Sequence, residues 1–229
     1  MKKKNKVRVL IQARTNSKRL YAKVINNICG YPLIHLCHMR IADPKNYETY
    51  VITSSFHEDD FLCSYLYKND IQFFRYSLEN VFNRFIKSTN DLDDNDIIVR
   101  LTADNPLVDR KLVNFCVKNF KIKKLNYFSS HNNILNTPYG LQVEVFRVGI
   151  LRAEIKKNLN YNDKEHVTYS LKKKYLNKSI KLNFGFKKKL KFERVTVDNL
   201  DDLKKLNNIF SKRGNMLTAS NKIEYFKIQ

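Results

Sequence analysis

The stretch VLIQARTNSKRLYAKVI, Val9 to Ile25, runs from an apolar segment into a loop carrying Arg14, Lys18, Arg19 and Lys23. Cations this close repel one another unless an anion sits among them. Two carboxylates elsewhere stand in comparable positions. RLTADNPLVD places Asp104 just after an apolar run that Pro106 ends, and RVTVDNLDD places Asp198 after another. A cationic loop with two isolated carboxylates is a donor set for a metal and a triphosphate. Mg2+ takes octahedral oxygen coordination, using one or two carboxylates plus phosphate oxygens and water. Arg grips two phosphate oxygens at once, while Lys acts as a point charge. Nucleotidyl transfer asks mainly for positioning and charge stabilisation, so no nucleophilic Ser or Cys is demanded. From spacing alone a structural role carries equal weight, with Asp104 capping the following turn and Asp198 the last helix.

The elements that must position these groups alternate. KVRVLIQA, YETYVITSS, IQFFRY and DIIVRLTADNP read as strands. PLIHLCHMRIA, EDDFLCSYLYKN, LENVFNRFIKST and KLVNFCVKNF read as the helices between and after them. The acids opening EDDFLCSYLYKN suit a helix N-terminus. Such βα alternation predicts a mostly parallel sheet with helices on both faces, whose ligands bind beyond the carboxyl ends of the strands. All three polar groups fall at such ends.

The second half is less regular. NYFSS and LQVEVFRVGIL are predicted as strands around the turn NTPYGL, DKEHVTYSLKKKYL as one helix, and KSIKLNF and KFERVTVD as strands. NLDDLKKLNNIF closes the pattern as a helix, with Leu200, Leu203, Leu206 and Phe210 on one stripe and Asn199 with Asp202 as a capping box. The 229 residues are read as one domain, with the less regular insertion at about 130–185 as the segment for acceptor binding or a dimer contact.

The net charge is +21. Taken alone, it points to a polyanionic partner. Lysine far outnumbers arginine, however, and the runs MKKKNK, LKKKY and FKKKLK are read as solvated surface. No zinc module or glycine-framed RNA-binding motif accompanies the charge, so no specific nucleic acid is expected. Cys29, Cys37, Cys63 and Cys116 form no CxxC pair and are read as reduced structural thiols. His35 and His38 lie three apart without a further ligand at matching spacing, so no metal pair is expected there. No run approaches the ~20 apolar residues of a membrane helix, and a cytoplasmic location is expected.

IQARTNSKRLYAKVI, VRLTADNPLVD, TPYGLQVEVF, DKEHVTYSL and RVTVDNLDDLKKL occur in the order found in cytidylyltransferases of the spore-coat polysaccharide type, relatives of CMP-KDO synthetase, and the chain resembles that family over residues 6–210. The resemblance implies a Rossmann-like nucleotidyltransferase fold. It further implies an enzyme that joins CMP from CTP to a sugar, typically a 2-keto-3-deoxy sugar acid, releasing pyrophosphate with Mg2+, for surface glycan synthesis. Carried onto this chain, Ala13, Arg14, Ser17, Arg19 and Lys23 would hold the nucleotide, with Ser77, Arg84 and Asp104 lining its pocket. Asp104 and Asp198 would bind the metal, and Arg14, Lys23, Asp104 and Asp198 would be the catalytic set. Gln142, Glu144, Glu165 and His166 would face the acceptor. A homodimer is the family-based expectation. The chain departs from the pattern at Asn16 and Tyr21, where the family loop usually has Gly and Pro, and at Ala103, Tyr139, Gln142, Asn199 and Leu200. Asn16 is therefore expected to tolerate left-handed backbone angles. The alternative activity is nucleotidyl transfer with another base or a phosphorylated acceptor; a nucleic-acid-binding protein ranks third.

Overall fold

The computed structural model describes residues 5–130, 137–155, 161–175, 184 and 194–211. At its centre lies β1 (Val7–Gln12), flanked by β4 (Glu48–Ser54) and β6 (Ile97–Thr102), both parallel to it. With β5 (Phe73–Tyr76), β7 (Tyr127–Ser129) and β8 (Glu144–Arg147) they form one sheet in the order β5-β4-β1-β6-β8-β7. β8 runs antiparallel to β6 and β7. A small hairpin of β2 (Asn27–Ile28) and β3 (Tyr31–Pro32) stands apart.

Helices α1 (Leu33–Ile41), α2 (Asp60–Lys68), α3 (Val81–Lys87) and α4 (Arg110–Ile122) alternate with the first strands, as predicted. Both faces of the sheet are covered. Val9, Ile11, Val99 and Leu101 pack with Leu36, Val113 and Phe120 on one side, while Leu10, Ile52 and Ile98 pack with Phe82, Phe85 and Leu171 on the other. This alternation along each strand follows the two-residue period of side chains. Asn80 caps α3 by accepting from the Asn83 amide, and Asp109 caps α4 by accepting from that of Leu112.

Because the chain leaves β1 for β4 on one side and later reaches β6 on the other, the sheet reverses its winding at β1. In open α/β sheets that reversal opens a crevice at the strands' carboxyl ends. Here the crevice lies between the loop after Gln12 and the loop after Thr102.

The second half departs from the sequence reading in several places. LQVEVFRVGIL is not one strand. β8 ends at Arg147, and α5 (Val148–Ile155) begins at the next residue. Val148 and Leu151, three apart, are both buried on that helix, and carbonyls of Asp96 and Asp94 accept from the amides of Val148 and Gly149. DKEHVTYSLKKKYL is two helices, α6 (Tyr161–His166) and α7 (Tyr169–Tyr175), split where Val167 takes φ 52. The break buries Val167 and turns the Thr168 hydroxyl toward Glu144. Of KFERVTVD, residues 191–193 lie outside the described residues, and Arg194 makes one isolated bridge to Tyr139 before a stretch at 195–197 that belongs to no strand. KSIKLNF, apart from Phe184, and the runs MKKKNK and FKKKLK lie largely or wholly outside the described residues.

The last helix, α8 (Leu200–Ser211), has its expected capping box. The Asp202 amide donates to Asn199 Oδ1 at 2.9 Å, and Asp202 Oδ2 accepts from the amides of Asn199 and Asp198. Leu206 and Phe210 enter the core, whereas Leu200 is exposed. Among the described residues, no helix is long and apolar enough to cross a membrane.

Candidate active site

The cationic loop leaves β1 at Ala13, whose amide donates to the Ile52 carbonyl. Thr15 anchors it. Its amide and hydroxyl both donate to Asp59 Oδ1, at 2.8 and 2.7 Å. Asp59 Oδ2 accepts in turn from the Thr53 and Ser54 hydroxyls and the Ser54 amide at the end of β4. Burial raises the Asp59 carboxyl pKa, but these donors outweigh it and leave it below the usual range. The amides of Ser17 and Ala22 both donate to the Thr15 carbonyl, folding the loop back on itself. Ala22, not Asn16, takes the left-handed backbone. The loop's tight turn therefore sits at Ala22, between Arg19 and Lys23.

Asp104 and Asp198 are brought together from the middle of the sequence and from near its end. Lys23 Nζ donates to Asp104 Oδ2 at 3.0 Å, to Asp198 Oδ1 at 3.2 Å and to the Val197 carbonyl at 2.9 Å. An ammonium has three hydrogens, so these contacts account for all of them. Arg19 Nη2 donates to Asp198 Oδ1 at 2.7 Å, and Arg194 Nη2 donates to Oδ2. Thr102 Oγ1 donates to Asp104 Oδ1 at 2.6 Å. Neither acid serves merely as a helix cap. Asp198 is buried within α8's capping turn, yet its carboxylate faces three cations, and the cap's acid is Asp202.

The backbone carrying Asp198 is tied to that carrying Asp104, since the Val197 amide and Thr196 hydroxyl both donate to the Asp104 carbonyl. Gly140 makes the third side possible. At φ 107 it passes so close to this segment that a Cβ would meet the Thr196 nitrogen at 2.6 Å. Between these loops, β6 and helices α6 and α7 opens a cleft of about 480 Å3, lined by residues including Arg19, Asp104, Gln142, His166 and Asp198.

Other expected residues fall elsewhere. Arg14 is partly exposed, with Glu165 3.9 Å away. Ser77 is exposed on the turn before α3. Arg84 is fully buried on α3, against which α6 packs, and its three guanidinium nitrogens have no acceptor among the described residues. Burial, and then Arg14, push its pKa down to about 10, against the pull of Asp59. Glu144 lies beneath the cleft rather than in its lining. Its oxygens accept from Arg100 Nη1 at 2.6 Å, Lys172 Nζ at 2.9 Å, Tyr127 Oη at 2.9 Å and Thr168 Oγ1 at 3.0 Å. Burial favours its neutral form, but Arg100 and Lys172 prevail and hold the carboxyl at about 2.

Sequence reasoning missed Asp59, Arg100, Lys172 and Arg194. Arg100 had a signal, a charge inside the buried run IIVRLT. Lys172 was hidden within LKKKY, which reads as solvated surface, but its ammonium turns inward. Asp59 reads as a helix-opening acid, and only the fold shows it holding the loop after β1.

A doubly covered α/β sheet with cations and paired carboxylates at its switch point has the architecture of a nucleotidyltransferase. Residues 8–223 match the family model described as cytidylyltransferase, and the chain belongs to that family. It is 28% identical to the spore coat polysaccharide biosynthesis protein SpsF of Bacillus subtilis (strain 168), over 92% of this chain and 88% of that protein. Its fold superposes on a cytidylyltransferase from Leptospira borgpetersenii serovar Hardjo-bovis with a TM-score of 0.86 at 22% identity, covering 98% and 94% of the two chains. CMP:2-keto-3-deoxy-manno-octonic acid synthetase complexed with CTP gives a TM-score of 0.63 at 13% identity, covering 91% of this chain and 99% of that one.

Proposed function

We propose that this cytidylyltransferase uses Mg2+ and CTP to transfer CMP to a sugar hydroxyl, releasing pyrophosphate, in the synthesis of a surface polysaccharide. The observation that carries this reading is the convergence of Asp104 and Asp198 on Lys23, beside Arg19, at the carboxyl edge of the sheet. Two acceptor-only carboxylates that one cation can bridge suit a hard metal ion, with phosphate and water completing its shell. Asp104 and Asp198 would hold it. When bound, Mg2+ polarises phosphoryl oxygens and favours the ionised form of an attacking hydroxyl.

Arg14, Ser17 and Arg19 provide the donors for the triphosphate. Lys23 has committed its hydrogens to the acid pair and the Val197 carbonyl, so it must release one partner to reach a phosphate. That exchange moves positive charge toward the departing pyrophosphate. The acceptor occupies the cleft beside Gln142 and His166, where its hydroxyl attacks the α-phosphorus opposite the leaving group. Arg84 brings a buried guanidinium without acceptors among the described residues, an expensive arrangement in a protein interior, and nucleotide binding gives it partners.

The test is pyrophosphate release from CTP and Mg2+ with a panel of 2-keto-3-deoxy sugar acids. Asp198→Asn should lower kcat by roughly 10²-fold or more while circular dichroism shows an intact fold. A fully active Asp198→Asn enzyme would sink the assignment.

A further inference from the structure

Tyr139 lines the cleft with an aromatic ring that neither a metal nor a triphosphate calls for. It is also a position at which the chain departs from the family pattern. The residue is 47% exposed, yet its ring is held in place. The Arg194 guanidinium lies over one face, 5.2 Å from the ring centroid. That guanidinium is fixed in turn, because its Nη2 donates to Asp198 Oδ2 and to Asp202 Oδ2. The backbone is tied down as well. The Tyr139 carbonyl accepts from the Val195 amide at 2.8 Å, and Gly140 beside it packs against Val195 and Thr196. With one face covered and nearly half of the residue exposed, the uncovered side of the ring opens into the cleft. An aromatic surface held rigid in advance loses little freedom when a ligand settles on it.

The order of the sheet tells which ligand this is. Tyr139 lies on the turn before β8, on the β6 side of the switch point. Ser77 and Arg84 follow β5, at the far edge. The ring therefore belongs to the opposite flank from that part of the nucleotide pocket, and one guanidinium separates it from Asp198.

Resting on the proposed CMP transfer, we infer that Tyr139 is a stacking platform for the ring of the acceptor sugar, with Arg194 as its positioning residue. The ligand class is a sugar that turns a face of C–H bonds toward the tyrosine. Dispersion and the burial of apolar surface supply the contact, so it asks for no charge on the acceptor. A deoxy carbon widens such a face. Axial hydroxyls on it would be pressed against the ring without partners, and sugars that carry them there are disfavoured.

The test is proton NMR of the same panel of 2-keto-3-deoxy sugar acids, with Mg2+ and α,β-methylene-CTP present so that no turnover occurs. In the wild type, the C–H protons of one ring face should move upfield, because they sit above an aromatic ring. Tyr139→Phe should keep most of that shift, and Tyr139→Ala should lose it. In turnover assays with CTP, Tyr139→Ala should raise KM for the sugar by about three- to tenfold, as expected for losing one aromatic contact. Its kcat should change less, with Tyr139→Phe nearer the wild type. The melting shift given by Mg–CTP should be retained in both. Upfield shifts that persist in Tyr139→Ala would overturn the platform, as would shifts that vanish only in a variant of another lining ring, Tyr169→Ala. A fall in kcat at unchanged KM would make Tyr139 a support for Arg194 alone and overturn it. Loss of the Mg–CTP shift in Tyr139→Ala would make the ring a nucleotide contact and overturn it too. Pyrophosphate release by the wild type without upfield shifts would overturn the platform and leave the proposed function standing. Upfield shifts without release would count against the proposed transfer and leave the platform standing as a sugar site. Neither signal would overturn both.

Discussion

At the scale of single residues, Arg84 and Glu144 show how differently burial treats two charges. Glu144 is surrounded by donors, while the Arg84 guanidinium has no acceptor among the described residues. Arg84→Met should therefore raise the stability of the free protein, because an unpartnered buried polar group costs about 1–3 kcal/mol. For a chain of this length that is a rise in Tm of roughly 2–12 °C. The same variant should bind CTP more weakly. A lower Tm with an unchanged CTP response would show that Arg84 serves the fold alone. For Glu144 the sign runs with acid. Its carboxyl falls from the ordinary 4.5 to about 2, so its charged form stabilises the fold fully above about pH 4.5 and loses that effect as pH falls toward 2. The stability gap between wild type and Glu144→Gln, measured by urea unfolding, should shrink across that window. A gap that stays constant or widens would contradict the pairing.

At the scale of elements, the site depends on loops being held close together. Gly140 packs against the backbone of Val195 and Thr196, the segment that presents Asp198. Gly140→Ala should cost about 3 kcal/mol or more, since the residue needs both a left-handed angle and the missing Cβ. The expected fall in Tm is roughly 6–12 °C, and turnover should fall with it. A normal Tm would mean that the two loops do not close as described. The first half of these elements was legible because hydrophobic period and strand-to-helix alternation are local signals. The cationic loop and Asp104 could be placed at strand ends for that reason. The second half was less legible, because its elements are set by contacts distant in sequence. VGIL carries apolar residues that suit a strand or a helix, and the carbonyls of Asp94 and Asp96 are among the partners that settle it. The break at Val167 follows from burying that residue and turning Thr168 to Glu144, which no local pattern announces. Lys172 was misread, and the second role of Asp59 beyond opening its helix was missed, for the same reason, since their partners lie on other elements.

At the scale of the whole molecule, the charge of +21 invites a nucleic-acid reading. Part of that charge is organised within the site, and other cations pair away from it, as Arg8 does with Glu48 and Asp91. Arg19, Lys23 and Arg194 meet Asp198, and Arg100 and Lys172 meet Glu144. Any duplex should thus bind without sequence preference and be released as salt rises from about 50 to 200 mM. Sequence-selective binding that survived this rise would revive the rival class. On the proposed function, the loop between Arg14 and Lys23 cradles a nucleoside triphosphate, with CTP as the donor. The most direct test is the melting shift given by CTP, UTP, ATP and GTP, each with Mg2+, repeated for CTP with Asp104→Asn. A ligand that binds the folded state alone raises the melting point, by an amount set by its affinity. A shift largest for CTP and reduced in Asp104→Asn is the expected result. Equal shifts for all four nucleotides, or none, would contradict the account and leave the loop as a general anion patch.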